Sequence, residues 1–340
     1  MVVSKDIPLP TNIVFEVTHA CNCDCRYCYN VWKSPNQSYP KGLMKLAEIQ
    51  DLFERLLDEV PLQSVAISGG EPFLRKDLPE IVSYLWARGL NVVIITNGTM
   101  LSQENIERTC GAINYEVPLL SYRKEVHNYL MRYDSFPKVI KGMKNLWKAK
   151  ARFVVAFIAT RLNAADLERT VQLAIAMGAE AIQYNRMNAG AYNYQYLSEL
   201  LPTVEMIKDN LDTLQAMSVQ FGIPVSCSVP IPPCLIDIQQ YPDLYFGFCP
   251  LAGENSYFTI DPAGNLRVCN HSSTILGNLR EQSFHELYMH PYVRDFKYTL
   301  PSNCLSCQPQ YRDRCHGGCK MAAAECYGSF REDDPFVRLG

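Results

Sequence analysis

The sequence predicts an α/β fold that runs into a cysteine-rich C-terminal part. Short apolar, β-branched runs alternate six times with segments of helical period between Ile13 and Tyr184. Hydrophobic residues make up 48% of the 340, ample for a sizeable core. Of the fourteen cysteines, seven stand at or beyond Cys249. The alternation argues for a parallel barrel or an open sheet and does not by itself choose between them.

The first strand is expected over 13–17 (IVFEV) and the second over 64–68 (SVAIS). Between them residues 43–57 form a helix, because Leu46, Ile49, Leu52, Phe53, Leu56 and Leu57 share one face. There follow a helix over 78–87, a strand over 91–96, a turn at Asn97-Gly98 and a short helix over 102–109. The pattern continues with a strand at 115–120, a helix at 136–149 and a strand at 152–159. Asn163 is expected to cap a helix that reaches Ala176 and stops at Gly178, before a sixth strand at 181–184. A tyrosine-rich stretch at 189–196 suits either a loop over a cavity mouth or an ordinary connector. A helix at 203–221, a strand near 223–228 and the Pro230-Ile231-Pro232-Pro233 bridge lead to a boundary dividing 1–230 from 231–340. Beyond it, residues 257–268 form a hairpin that turns at Asp261-Pro262-Ala263-Gly264 and brings Cys249 and Cys269 together.

Chemistry concentrates where the first two strands end. Cys21, Cys25 and Cys28 make the spacing CxxxCxxC, and three thiolates suit a four-iron cluster with one open iron better than a closed zinc site. At the end of the second strand, Gly69 and Gly70 let a ligand approach the backbone and Glu71 offers an anchor for an amine. Cys23 fits no ligand spacing and is read as a bystander. These two motifs, in this order, resemble the radical S-adenosylmethionine (SAM) superfamily. The resemblance selects a partial (β/α)6 TIM-like barrel. It implies a 4Fe-4S cluster on Cys21, Cys25 and Cys28, with SAM chelated to the open iron and cleaved to a 5′-deoxyadenosyl radical. It also places Tyr27 beside the adenine and Gly69, Gly70 and Glu71 at the methionyl amine. Asn97, Ser121, Thr160, Asn185 and Arg186, just past strand ends, are candidates for contacts to SAM or substrate. Relatives often read Ser-Leu-Asp-Gly where this chain has Pro118-Leu119-Leu120-Ser121, so an inherited ribose contact is in doubt there.

In the C-terminal part, Cys304-Leu305-Ser306-Cys307 is followed by Cys315-His316-Gly317-Gly318-Cys319, and two such pairs could also make a zinc ribbon. The stretch 247–335 resembles the SPASM extension of radical SAM enzymes, which implies two auxiliary 4Fe-4S clusters. Cys249, Cys269 and Cys319 would hold the first, and Cys304, Cys307 and Cys315 the second. Two departures stand out: seven residues separate Cys307 from Cys315, and Asp334-Pro335 is followed by Phe336 where relatives have a final cysteine. Cys326 is expected to replace that ligand, with Asp313 or a water as the alternative, and Cys234 is the nearest fourth ligand for the first cluster. Cys110 and Cys227 read as core residues, and His271 as a turn or surface residue, with a hydrogen bond toward a cluster sulfur as the alternative.

The chain has a formal charge of −3, no basic footprint and no apolar run of membrane-spanning length, which argues against nucleic acid and membrane as partners. Residues 1–6 lack an apolar signal region, and a reducing cytoplasm is expected. The resemblance implies a peptide maturase, similar to those of the pyrroloquinoline quinone type, that oxidises a peptide by cross-linking, thioether formation or dehydrogenation while auxiliary clusters take the electron. The alternative is a small-molecule or cofactor precursor such as a tetrapyrrole side chain. Either needs an external one-electron reductant of flavodoxin or ferredoxin type. Only twenty residues precede Cys21, so a peptide substrate is expected to need a separate recognition protein or direct groove binding.

Overall fold

The computed structural model describes residues 8–34, 38–251 and 256–339. Residues 1–7 and the Asp313 side chain, both invoked above, lie outside the described residues. The first six strands are β1 (Asn12–Glu16), β2 (Ser64–Ser68), β3 (Asn91–Ile95), β4 (Ala112–Pro118), β5 (Phe153–Ala159) and β6 (Ala181–Arg186). Two short strands, β7 (Val225–Cys227) and β8 (Leu244–Phe246), continue them. Each pairs in parallel with the next in sequence. A sequential order with crossovers of one hand keeps every crossover on one side, so the sheet curls about its other face as a partial barrel. Had the order reversed at a switch point, the same strands would make an open doubly wound sheet.

The connecting helices are α1 (Leu46–Glu59), α2 (Leu78–Ala87), α3 (Gln103–Arg108), α4 (Lys124–Met131), α5 (Phe136–Lys148), α6 (Leu167–Ala176), α7 (Leu197–Leu200) and α8 (Val204–Phe221). Helix α1 begins later than its apolar run. Leu43 is exposed, and the Glu48 carboxylate accepts from the Lys45 N–H (2.8 Å) to fix the first turn. Its Ile49, Leu52, Phe53 and Leu56 are buried, at about 1.5–3 kcal/mol each. Ser102 and Thr203 cap α3 and α8 as their sequences suggest. Asn163 does not cap α6. Its Oδ1 accepts from Thr160 N–H (2.6 Å), and its Nδ2 donates to Leu120 O (2.6 Å) and Ile158 O (2.9 Å), stitching the ends of β4 and β5 together. Cys227 is buried as expected, whereas Cys110, at the end of α3, is exposed.

The C-terminal part joins the same sheet. Strand β9 (Tyr257–Ile260) pairs in parallel with β1, and β10 (Asn265–Arg267) and β11 (Gly277–Asn278) follow antiparallel. Asp261 holds the hairpin turn by accepting from Ala263 N–H and Asn265 N–H, both 2.9 Å. The remaining helices are α9 (Phe284–Tyr288), α10 (Pro291–Tyr298), α11 (Pro309–Cys315), α12 (Lys320–Tyr327) and α13 (Pro335–Leu339). Two fully buried ion pairs tie this part to the barrel: Arg267 on β10 with Glu16 on β1, and Arg186 on β6 with Asp334. No helix among the described residues is long and apolar enough to cross a membrane.

Candidate active site

At the carboxyl ends of the strands lies a cavity of about 380 Å³. One wall is the loop after β1. Cys21, Cys25 and Cys28 line it together with Tyr27, whose hydroxyl donates to Met131 Sδ (3.1 Å). Burial pushes the Cys21 and Cys28 thiols up to about 11. Against this work the N–H of Cys23 at the Cys21 sulfur and the N–H of Asn30 at the Cys28 sulfur. Lys33 also lines the cavity. Burial opposes its charge, but Cys28, Cys21 and Cys25 outweigh that and hold its pKa above the ordinary lysine value. A loop that aims amide donors and an ammonium at three sulfurs fits thiolates bound to iron. Cys23 is buried off the wall against Cys25, and Lys33 Nζ donates to its carbonyl (3.0 Å).

Gly69 and Gly70 form the adjoining wall, packed so closely on the cysteine loop that a Cβ on Gly70 would lie 2.0 Å from Ala20 O. Glu71 is placed differently from its expected role at an amine. It is fully buried behind the wall and accepts from Thr96 Oγ1 (2.7 Å), Asn97 N–H (2.7 Å) and Phe73 N–H (3.2 Å). Burial pushes its carboxyl up to about 7 in spite of these donors. Its work is to lock the ends of β2 and β3 together. Asn97, Asn185 and Arg186 do line the cavity. Asn97 donates to Asn22 Oδ1 (2.7 Å) on the cysteine loop, and Asn185 Oδ1 accepts from Ser228 N–H and Val229 N–H, both 2.9 Å. Ser121 and Thr160 do not reach it. Ser121 is buried against Asp166 (2.6 Å) and Thr160 against Asn163 (2.7 Å), each spent on a loop hydrogen bond.

The opposite wall comes from the C-terminal part. Cys249, Cys269 and Cys319 line the same cavity, and each sulfur faces a backbone donor, from Leu251, His271 and Ala322 respectively. Asn188 Nδ2 also donates to Cys319 Sγ (2.9 Å). This donor set too fits thiolates on a cluster. Cys304, Cys307 and Cys315 lie away from that wall. The sequence expectation put Cys234 with the first set, but it does not line that wall; its sulfur lies in the field of Cys307, and Cys304 and Cys315 lie in its field. Cys326 sits beside Cys319 and packs with the cluster of Leu120, Met187 and Ala322. Among the described residues no three His, Cys, Asp or Glu side chains stand close enough to share one ion.

Several wall residues are silent in the sequence. Glu116 on β4 is the one carboxylate on the wall among the described residues, and burial alone pushes it up to about 7. Alternation along β4 could have found it, since a glutamate at an inward position of a barrel strand has no packing reason to be there. His271, expected at a turn or the surface, instead stacks on Tyr29 (4.1 Å between centroids), and Asn270 donates to the Tyr29 hydroxyl (2.8 Å). Burial keeps His271 neutral, its pKa down to about 3. The tyrosine-rich stretch does not cover the mouth; Tyr192 donates to Asp24 (2.6 Å) behind the cysteine loop.

Comparison with known proteins agrees with this geometry. The radical SAM superfamily matches residues 15–174, and SPASM, an iron–sulfur cluster-binding domain, matches residues 249–308. The chain is 25% identical to an AdoMet-dependent heme synthase of Methanosarcina barkeri, over 96% of both chains. It is 26% identical to a PqqA peptide cyclase of Xanthomonas euvesicatoria, over 96% of this chain and 87% of the relative. In fold it superposes with SuiB of Streptococcus suis, solved bound to the precursor peptide SuiA, at a TM-score of 0.77 and 16% identity, covering 98% of this chain and 76% of that one.

Proposed function

We propose that this chain, which belongs to the radical SAM superfamily and carries a SPASM extension, is an oxidative peptide-modifying enzyme. The observation that carries the reading is that one cavity has two walls of thiols, Cys21, Cys25 and Cys28 on one side and Cys249, Cys269 and Cys319 on the other. A substrate between them is within reach of a radical source and of an outlet for an electron. When bound, the 4Fe-4S clusters supply the electron that cleaves SAM and the acceptor for the electron released as the product closes. The rest falls to the protein. Gly69 and Gly70 give SAM a close approach to backbone, and Asn97 stands beside them at the end of β3. Glu116, titrating near neutrality in the wall, takes the proton that leaves when an oxidised carbon becomes a closed-shell product. Residues 1–230 make the radical and residues 231–340 remove the electron.

The substrate class is drawn from the cyclases of PqqA that the chain resembles over almost its whole length. Cleavage of SAM calls for a flavodoxin- or ferredoxin-type donor whichever substrate is bound, and a peptide substrate calls for a separate recognition protein or direct groove binding. A reducing cytoplasm is the compartment this reading calls for, since thiol-held clusters suit it. The test is an anaerobic reaction of reconstituted enzyme with SAM, dithionite and the peptide encoded beside its gene. Formation of 5′-deoxyadenosine with a loss of 2 Da per bond made supports the reading; 5′-deoxyadenosine with an unchanged peptide counts against it.

A second reading has its own observation. The heme synthase relative matches over 96% of both chains, which favours a tetrapyrrole side chain as substrate. The same reaction with an iron porphyrin bearing propionates decides between the two.

A further inference from the structure

We propose that Cys234 is the fourth thiolate of the second auxiliary cluster, completing Cys304, Cys307 and Cys315 from upstream of the hairpin. The inference rests on the iron–sulfur reading of the C-terminal cysteines and adds a ligand that lies before the matched SPASM segment 249–308.

Placement comes first. Cys234 sits in a turn closed by Leu235 N–H and Ile236 N–H on Pro232 O (3.0 and 3.3 Å). That turn is held to the barrel by Arg186 Nε, which donates to Pro230 O (2.9 Å). From there the Cys234 sulfur lies in the electrostatic field of Cys307, and Cys304 and Cys315 each lie in the field of Cys234. Cys304 also feels Cys307, and Cys315 feels Cys304. Four thiols that act on one another in this way form one group, not a triad with a bystander. The segment 302–306 is pinned beside them by Asn303, which donates to Asp333 (2.6 Å).

The donors point the same way. The N–H groups of Gly317 and Gly318, at φ +89° and +77°, face the Cys315 sulfur, a backbone nest suited to a charged thiolate. The Cys234 sulfur faces its own N–H.

The competing ligands are accounted for elsewhere. Phe336 occupies the position after Asp334-Pro335, fully buried with its ring 4.7 Å from the Arg186 guanidinium carbon. A cysteine there would give up that packing. Cys326 faces Cys319 and the cysteine-loop side of the molecule.

The test uses anaerobically reconstituted full-length enzyme. Wild type should hold about twelve irons. Cys234→Ala should fall by one to about four irons, with a change confined to one auxiliary cluster in the EPR of the reduced protein, while Cys326→Ala keeps its full complement. Cys234→Ala with all its iron and unaltered EPR overturns the proposal. Wild type with about eight irons or fewer overturns the three-cluster reading itself, and the proposal with it. Iodoacetamide labelling of the wild type needs no variant to fold: Cys234 and Cys110 are both exposed thiols in the protein without metal. Cys110 should label before and after iron removal and Cys234 only after it. Equal labelling of Cys234 in both states counts against it.

Discussion

Asp334 is the residue whose removal should be felt at both ends of the active site. It is fully buried, and three donors converge on its carboxylate: the Arg186 guanidinium, the Cys319 N–H (2.7 Å) and the Phe336 N–H (2.9 Å). Asp334→Ala leaves Arg186 charged and buried with only the neutral acceptors Pro230 O (2.9 Å) and Asn188 Oδ1 (3.5 Å), a break that costs about 3–5 kcal/mol. The two orphaned amides add about 1–3 kcal/mol each, less whatever the site relaxes. We expect a loss of at least about 4 kcal/mol, a large share of the stability of a domain. The matching test is a double-mutant cycle. Arg186→Met removes the charge that Asp334→Ala strands, so the double variant should cost about 2 kcal/mol less than the sum of the singles. Urea unfolding followed by far-UV circular dichroism measures all four proteins. Additivity within about 0.5 kcal/mol, or a single-variant loss below about 1 kcal/mol, would refute the view that this pair joins barrel to extension.

Other expectations follow from the same geometry. Gly70→Ala forces a Cβ to within 2.0 Å of Ala20 O, backbone against backbone, and should cost the first cluster about four irons, read by iron analysis; full iron content would sink it. Glu116 is raised from 4.5 to about 7 in the folded protein, so the folded state binds the extra proton between those values and stability falls as pH rises through them. The upper bound is about 3 kcal/mol, lessened by water in the cavity. Glu116→Gln should therefore melt higher than wild type at pH 8 and level with it near pH 4, and an equal difference at both pH values rules the argument out. Lys33→Met removes the ammonium that favours the thiolates of the cysteine loop. Iron uptake at pH 7.5 should slow roughly threefold to tenfold, and because thiols raised to about 11 stay mostly protonated at pH 9.5 the same gap should persist there; uptake at the wild-type rate at both pH values would disprove the electrostatic role.

Much of the fold was legible because periodicity reports on local packing. The strands at 64–68 and 91–96 are recovered within a residue, since a buried parallel strand leaves little freedom in composition. Helix α4 was missed because its sequence, KEVHNYLM, offers His127, Leu130 and Met131 as its only buried residues. The cysteine loop could be read because its ligands lie within eight residues and their spacing is the chemistry. Glu71 and Cys234 could not, for one reason in two forms. Whether a carboxylate faces a cavity or a neighbouring loop is decided by Thr96 and Asn97, distant in sequence. Which group of thiols a lone cysteine joins is decided by how a proline-rich turn folds back.

The pairing of β9 with β1 orders events during synthesis. Strand β1 leaves the ribosome before the other strands of this sheet, yet its outer edge waits for residues 257–260 before its hydrogen bonds are made. For most of translation the nascent barrel presents an unpaired edge, Asn12–Glu16, next to a loop of reactive thiols. The late strand closes that edge and, one short strand further on, delivers Cys269 to the cavity. A cluster built on Cys249, Cys269 and Cys319 would therefore wait for the hairpin: iron offered before residues 257–269 are made meets an open seam, and iron offered after them meets a closed one.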